Sequence, residues 1–441
     1  VPKPNTTLPQ HDIVLIGFNP TRLQGVQALV LITKAFIPVG GLGTRLYPLT
    51  VETSKAMVRF LNNFLINFII RRLASQGVEE FYLGVSGYFN YKALHDHLGG
   101  GFRIRLAPGV SKLVRIRYQP NEDSVGNAHS IRILLEYYKI KEPILVVQGD
   151  TVANINVRKL YRRHREAGAF MTIALKEIED VEELKHFGVA VLDENGLIRG
   201  FVEKPRRVEE APSRLVNTGI YVISEEMVEF LLSEEFGKMV EGGRADFGAH
   251  VIPKIIFDGR RVVGYVMDGY WFDIGTPERY IEASLYLLRT LKAEELEVAT
   301  VYRGVRMQGY SPASRALHID LVERAARGVI TLDGDVLLGR HVRLEDNVRI
   351  ANAIIDNYTI VKRGSNIEES VIMDRSVIGQ RSTVRGSIIG RHVRIGGNVK
   401  MNASYIGDNV ILEDNVILEN CKVWPHRIVK SDYKCINETI T

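Results

Sequence analysis

Ala35-Phe36-Ile37-Pro38-Val39 runs without a break into Gly40-Gly41-Leu42-Gly43-Thr44-Arg45-Leu46-Tyr47-Pro48-Leu49-Thr50, and Ser54-Lys55 follows. The first five residues are an apolar run of strand length; the next four are dominated by glycine. A buried strand that empties into such a turn brings unencumbered backbone N–H groups to the carboxyl edge of a sheet, where α/β proteins hold their ligands. Glycines let that backbone approach phosphate oxygens, and Thr44, Arg45 and Lys55 add hydrogen bonds and positive charge. The segment is neither a Walker loop, which would end in Gly-Lys-Ser/Thr, nor a dinucleotide fingerprint, because Arg45 stands where a third glycine would be sought.

Outward from this turn, short apolar strands alternate with amphipathic helices. The pattern predicts a helix over Phe64–Gln76, a strand over Glu80–Val85, a helix over Ile131–Tyr138 and a strand over Ile144–Gln148. Further strands are expected at Met171–Leu175, Gly188–Leu192, Asn217–Ile223 and Val262–Met267, and a closing helix from Thr276 to Arg289. Such alternation implies a mostly parallel sheet with helices on both faces. Residues 291–328 are charged and mixed, and read as a linker with helical pieces. Beyond them aliphatic residues recur about every six positions, at Leu338, Leu344 and Ile350, then at Ile372, Ile378, Ile389, Ile395, Ile406 and Leu412, often followed by glycine. A hexapeptide period means three short strands per turn of a parallel β-helix; slips near Ile355 and Ser365 mark turns or inserted residues. The fold expected is therefore α/β, a Rossmann-like domain over 34–290, then a left-handed β-helix over 329–428 and a tail over 429–441. Residues 1–33 read as an extension outside the domain, with a start further in, at Val30 or Leu31, as the expected alternative.

Composition narrows the ligands. The 441 residues are 45% hydrophobic and 25% charged, with a net charge of +5 and no apolar run of bilayer-spanning length. A cytoplasmic protein without membrane association is expected. Basic residues are interspersed with acidic ones rather than gathered in a stripe with stacking aromatics, which argues against nucleic acid and for small anionic substrates. The two cysteines, Cys421 and Cys435, are expected as ordinary thiols.

Gly40-Gly41-Leu42-Gly43-Thr44-Arg45 with the downstream Lys55 resembles the signature of the nucleotide-sugar pyrophosphorylases, the sugar-1-phosphate nucleotidylyltransferases, with Ser54 where relatives carry proline and Asn62-Asn63-Phe64 where many carry Gly-Lys-Pro. The likeness continues in order through the α/β domain. Gln119-Pro120 and Ser124-Val125-Gly126-Asn127-Ala128 resemble the loop that reads the nucleobase, and Gln-Pro is closer to the thymidylyl and uridylyl branch than to the guanylyl one. Val146-Val147-Gln148-Gly149-Asp150 and Trp271-Phe272-Asp273-Ile274-Gly275-Thr276-Pro277 are similar to the stretches that hold magnesium.

The resemblance implies a division of roles. Gly41, Gly43, Thr44, Gln119, Gly126 and Gly149 would bind the nucleoside triphosphate; Gly188, Glu203 and Asn217 the sugar phosphate; Asp150 and Asp273 the Mg²⁺; Arg45, Lys55 and Lys204 would carry the chemistry. A sugar 1-phosphate is already an anionic nucleophile, so such a site needs alignment and charge neutralisation rather than a general base. Glucose 1-phosphate with dTTP or UTP is the expected pair. Mannose 1-phosphate with GTP is the alternative, because a short β-helix and Val423-Trp424-Pro425 resemble the mannose-1-phosphate guanylyltransferases. Two further alternatives are weighed: an added acetyl transfer on the β-helix, for which His341, His392 and His426 are the histidines available, and a non-catalytic regulatory subunit, against which the retained arginine, lysine and acidic pair speak. Assembly into homo-oligomers through the β-helix is expected.

Overall fold

A strand as apolar as Lys34–Pro38 is stable only when covered on both faces, and in the computed structural model Ala35, Phe36 and Ile37 are fully buried at the centre of a ten-stranded mixed sheet. The structure describes residues 32–41, 43–107, 110–120 and 123–441. The N-terminal extension and the alternative start within it lie outside the described residues, as does Leu42.

Lys34–Pro38 pairs in parallel with Glu80–Gly84 on one side and Ile144–Val147 on the other, and Glu80–Gly84 pairs in parallel with Val110–Tyr118. The flank beyond Ile144–Val147 is antiparallel: Leu215–Ile223 lies against it, followed by Gly188–Leu192 and Ile198–Glu203. The parallel centre is thus flanked, within the same sheet, by a set of antiparallel strands. Outside the main sheet, Thr151–Ala153 and Trp271–Asp273 form a two-stranded antiparallel ribbon in which Asp273 pairs with Thr151. The helices Leu65–Ala74, Asn127–Tyr138 and Pro277–Thr290 fall within a few residues of their expected places. Their buried faces are mainly apolar, as the sequence pattern requires.

From Thr331 onward every strand pairs in parallel with one a full coil away, 17 residues on in the regular part, as in the side-chain bonds that repeat between coils. The inward residues of one coil, Ile378, Val384 and Ile389, are all fully buried. The hexapeptide period is therefore shortened by one residue on one face of each coil, and the slip read at Ile355 is part of a regular feature. The corners are taken by residues with positive φ, commonly asparagine, such as Asn398 (φ 58°), Asn409 (φ 60°) and Asn415 (φ 63°). His341 and His392 are corner residues of this kind, with φ of 58° and 57°.

Buried serines close the corners. The hydroxyls of Ser370, Ser387 and Ser404 each accept from the backbone N–H of the residue 17 positions on, at 3.0–3.1 Å. Cys421 takes the next place in that column and is bonded to Cys435, correcting the expectation of separate thiols. The two residues face each other inside the coil with Cα atoms 6.4 Å apart, within bridging distance, a proximity set by the coil and invisible to an argument from compartment. The stretch expected as a tail is also corrected: Ile428–Val429, Lys434–Ile436 and Thr439–Ile440 continue the coils nearly to the last residue. The intervening linker holds the hairpin Ala299–Tyr302/Val305–Met307 and the helix Pro312–Ala326.

The two domains share a core. Leu337, Ile354, Val371, Met373 and Ile388 of the β-helix pack in one cluster with the helices and strands of the α/β domain. The contact is completed by Arg59, whose guanidinium meets the buried Asp356 carboxylate at 2.6 and 2.8 Å.

Candidate active site

The glycine turn lines a cavity of about 340 Å³ at the carboxyl edge of the parallel strands, together with Lys55, Ser124, Gly126, Gly149, Asp150 and Asp246. Two glycines are required by geometry. Gly43 has φ 64°, which favours glycine, and its carbonyl accepts from the Thr50 hydroxyl at 2.7 Å. A methyl group at Gly126 would lie 2.3 Å from the Ala245 carbonyl oxygen, so this loop can seat against residues 245–246 only without a side chain. At Gly41, by contrast, a methyl group would meet nothing within 4 Å: the position borders open space.

The carboxylates predicted for Mg²⁺ come together. Asp150 follows the strand Ile144–Val147, Asp273 ends the ribbon strand beside it, and the Ile274 N–H donates to the Asp150 carbonyl at 3.0 Å. The Asp273 carboxyl is raised to about 6, first because it is buried and second because Asp150 repels its charge, while Lys55, Arg45 and Arg279 oppose the rise. Lys55 Nζ bonds Asp150 at 2.5 Å. Two hard oxygen donors whose charges repel suit a divalent cation, and with only two protein carboxylates the remaining positions fall to substrate phosphates and water, the pattern of Mg²⁺. Among the described residues no cluster of three or more potential ligands competes with this pair.

The residues expected for the sugar phosphate divide. Gly188 and Glu203 meet: a methyl group at Gly188 would stand 2.6 Å from Glu203 Oε2, and so would one at Gly248. The Glu203 carboxyl is raised by burial. Lys204 has φ 47° and a largely exposed side chain with Nζ 3.7 Å from Glu203. Asn217 sits at an irregularity in the strand pairing and its amide is engaged locally, donating to the Tyr221 hydroxyl at 2.9 Å and accepting from the Gly219 N–H at 3.0 Å. Gln119 is buried behind the cavity, where its Oε1 accepts from Ser130. Thr44 and Arg45 occupy an exposed single turn at the rim.

Two residues escaped the sequence pattern. Asp246 lines the cavity and also caps the following turn by accepting from the Ala249 N–H at 2.9 Å; its signal, an Asp before Phe-Gly, is indistinguishable from any capping aspartate. Arg279 lies one helical turn past the Asp273 motif. It donates to Asp273 at 3.4 Å, pairs with Glu183 and stacks 5.0 Å over the Phe187 ring, so it ties the Asp273 carboxylate to the segment that precedes Gly188.

Residues 34–290 match the nucleotidyl transferase family and residues 332–440 match the GMPPB C-terminal domain. Among curated proteins, the chain is 28% identical over 342 residues to the UTP–glucose-1-phosphate uridylyltransferase of Synechocystis sp., covering 77% of this chain and 82% of the relative. It is likewise 28% identical over 366 residues to the small subunit of the chloroplastic/amyloplastic glucose-1-phosphate adenylyltransferase of Triticum aestivum, covering 76% and 72%. No helix among the described residues is long and apolar enough to cross a membrane.

Proposed function

The chain belongs to the nucleotidyl transferase family, an enzyme family of nucleotide-sugar synthesis, and from that premise we propose that it joins a hexose 1-phosphate to a nucleoside triphosphate with release of pyrophosphate. The observation that carries this is the Asp150–Asp273 pair beside Lys55 and Arg45, at the mouth of a glycine-lined cavity. A phosphate oxygen of the sugar 1-phosphate attacks the α-phosphorus of the nucleotide. The new P–O bond forms as the bond from α-phosphorus to the bridging oxygen breaks, and the electron pair leaves with pyrophosphate. Neither partner gives up a proton, so the residues have only to align and neutralise.

Arg45 and Lys55 stabilise the departing pyrophosphate, Lys204 holds the attacking phosphate, and Glu203 accepts from sugar hydroxyls. Asp150 and Asp273 would hold Mg²⁺, which supplies charge neutralisation at the α-phosphate. The glycine backbone at Gly41, Gly43 and Gly149 admits the phosphate chain, and Gly126 with Gln119 shapes the base end.

For the substrates we take glucose 1-phosphate with UTP or dTTP, supported by Gln119-Pro120 in the base loop and by the uridylyltransferase relative. Mannose 1-phosphate with GTP is the second reading, favoured by the match of residues 332–440 to the GMPPB C-terminal domain. A pyrophosphate-release assay with Mg²⁺, crossing four nucleoside triphosphates with glucose, mannose, galactose and glucosamine 1-phosphates, decides between them. Near-normal turnover in Asp150→Ala, Asp273→Ala or Arg45→Ala would remove that residue from the mechanism, and silence across the grid would refute catalysis.

A further inference from the structure

The segment between Arg45 and Lys55 is anchored in its own domain by the buried Leu46 and Leu49, and it is held from outside that domain as well. One column of β-helix corners climbs by one coil at each step through Asn357, Asp374, Arg391, Asp408 and Pro425, 17 residues apart, and its neighbours at the two ends meet the N-terminal domain. At the low end Asp356 and Asp374 meet Arg59, at 2.6 and 3.7 Å. At the high end His426 Nε2 lies 2.8 Å from Glu52, and the Trp424 ring packs edge-on to Tyr47 with centroids 5.5 Å apart. Tyr47 and Glu52 stand two residues after Arg45 and three before Lys55, so the two uppermost contacts bracket the stretch that joins both proposed phosphate ligands.

The corner that makes these contacts is itself fixed. The Trp424 N–H donates to the Ile440 carbonyl at 2.8 Å and the His426 N–H to the Asp408 carbonyl at 3.0 Å, so each is anchored to a neighbouring coil. Pro425 packs against Gly407, where a methyl group would stand only 2.7 Å from the proline ring. By contrast Thr44 and Arg45 are exposed on a single turn, with little packing of their own to set where the guanidinium points.

We infer that Trp424 and His426 are positioning residues for the triphosphate site: the β-helix acts as a backstop that fixes Arg45 and Lys55 relative to the Asp150–Asp273 pair. Val423-Trp424-Pro425 thereby acquires a task in the N-terminal domain's chemistry. The inference rests on the assignment of Arg45 and Lys55 as phosphate ligands.

Because the nucleobase is unassigned, the probe is inorganic pyrophosphate with Mg²⁺, bound by the full-length protein and followed by calorimetry. Trp424→Ala should weaken pyrophosphate binding about fivefold, the factor that corresponds to one lost edge-to-face aromatic contact, and Trp424→Phe should restore it. The half-exposed pair tested by Glu52→Gln should cost about twofold. Thermal melting should stay at the wild-type value in Trp424→Phe and Glu52→Gln, and binding of glucose 1-phosphate should not move in any of the three.

If Arg45→Ala weakens pyrophosphate binding but Trp424→Ala and Glu52→Gln do not, the backstop role is overturned and the phosphate assignment stands. If Arg45→Ala and Lys55→Ala have no effect, the assignment itself falls and the backstop with it. Should Trp424→Ala fail to fold, Glu52→Gln decides: unchanged pyrophosphate binding in it, or equal weakening of pyrophosphate and sugar phosphate binding, would overturn the inference.

Discussion

Replacing Asp273 by asparagine should make the metal-free protein more stable while abolishing its activity. The carboxyl of Asp273 is raised from 3.8 to about 6, chiefly by burial and then by the charge of Asp150. For an acid whose folded-state value is raised, ionisation costs folding free energy. The cost is zero below the unfolded value, grows as pH rises through 4 to 6, and is complete above 6. A shift of this size corresponds to about 3 kcal/mol, and for a domain of this length each kcal/mol moves the melting temperature by roughly 2–4 °C. In EDTA at pH 8, Asp273→Asn should therefore melt several degrees above wild type, and the gap should close as pH falls towards 4. Added Mg²⁺ should raise wild type and leave the variant where it was. Scanning calorimetry across pH 4–8, with and without metal, reads all three effects. A variant that melts below wild type throughout this range in EDTA would show that Asp273 is a net structural asset, and the case for a repelling pair awaiting a cation would be lost.

Three further outcomes are expected. Gly126→Ala should raise KM for the nucleotide and leave KM for the sugar phosphate unchanged, because the added methyl would sit 2.3 Å from the Ala245 oxygen and push the base loop away; equal effects on both constants would contradict this. Arg59→Ala should destabilise the protein by about 3 kcal/mol in denaturant unfolding by stranding the Asp356 carboxylate, which is 1% exposed, and Asp356→Asn in the same chain should recover part of the loss. Reducing the Cys421–Cys435 bond, which spans 14 residues, should lower the stability of the last coils by about 3 kcal/mol. Proteolysis of residues 420–441 before and after reduction would detect it.

The parts of this molecule that were legible in its sequence are those in which one period or one short motif determines the structure. The strand Lys34–Pro38, the glycine turn after it and the inward aliphatic ladder of the β-helix are of this kind, since burial on two faces or repetition leaves little choice. Asp150 and Asp273 are named together by the ordered motifs of a resembling family, and the ribbon that pairs Asp273 with Thr151 sets the two carboxylates near each other. What the sequence concealed depends on distant chain segments. Cys421 and Cys435 face each other because of where one coil turns. Residues 429–441 looked like a tail because their polar residues, Lys430, Ser431, Asp432 and Lys434, lie on the outside of a coil whose inward members are only Val429, Cys435 and Ile440. The role of Arg279 depends on Glu183 and Phe187, nearly a hundred residues away.

The constant 17-residue coil has a consequence for how this chain can change length. Neighbouring strands of a sheet stand about 4.8 Å apart, so removing one whole coil would shorten the β-helix by that step and leave every face, corner and serine column in register. Such an edit would be nearly silent for the fold and loud for the contact with the N-terminal domain. Taken from below Pro425, it would draw Trp424 and His426 one rung down, away from Tyr47 and Glu52. The number of coils thus behaves as a gauge, cut to the distance between Arg59 and Tyr47, and the repeat that tolerates whole-unit insertion elsewhere along its length is held to a fixed count between those two points.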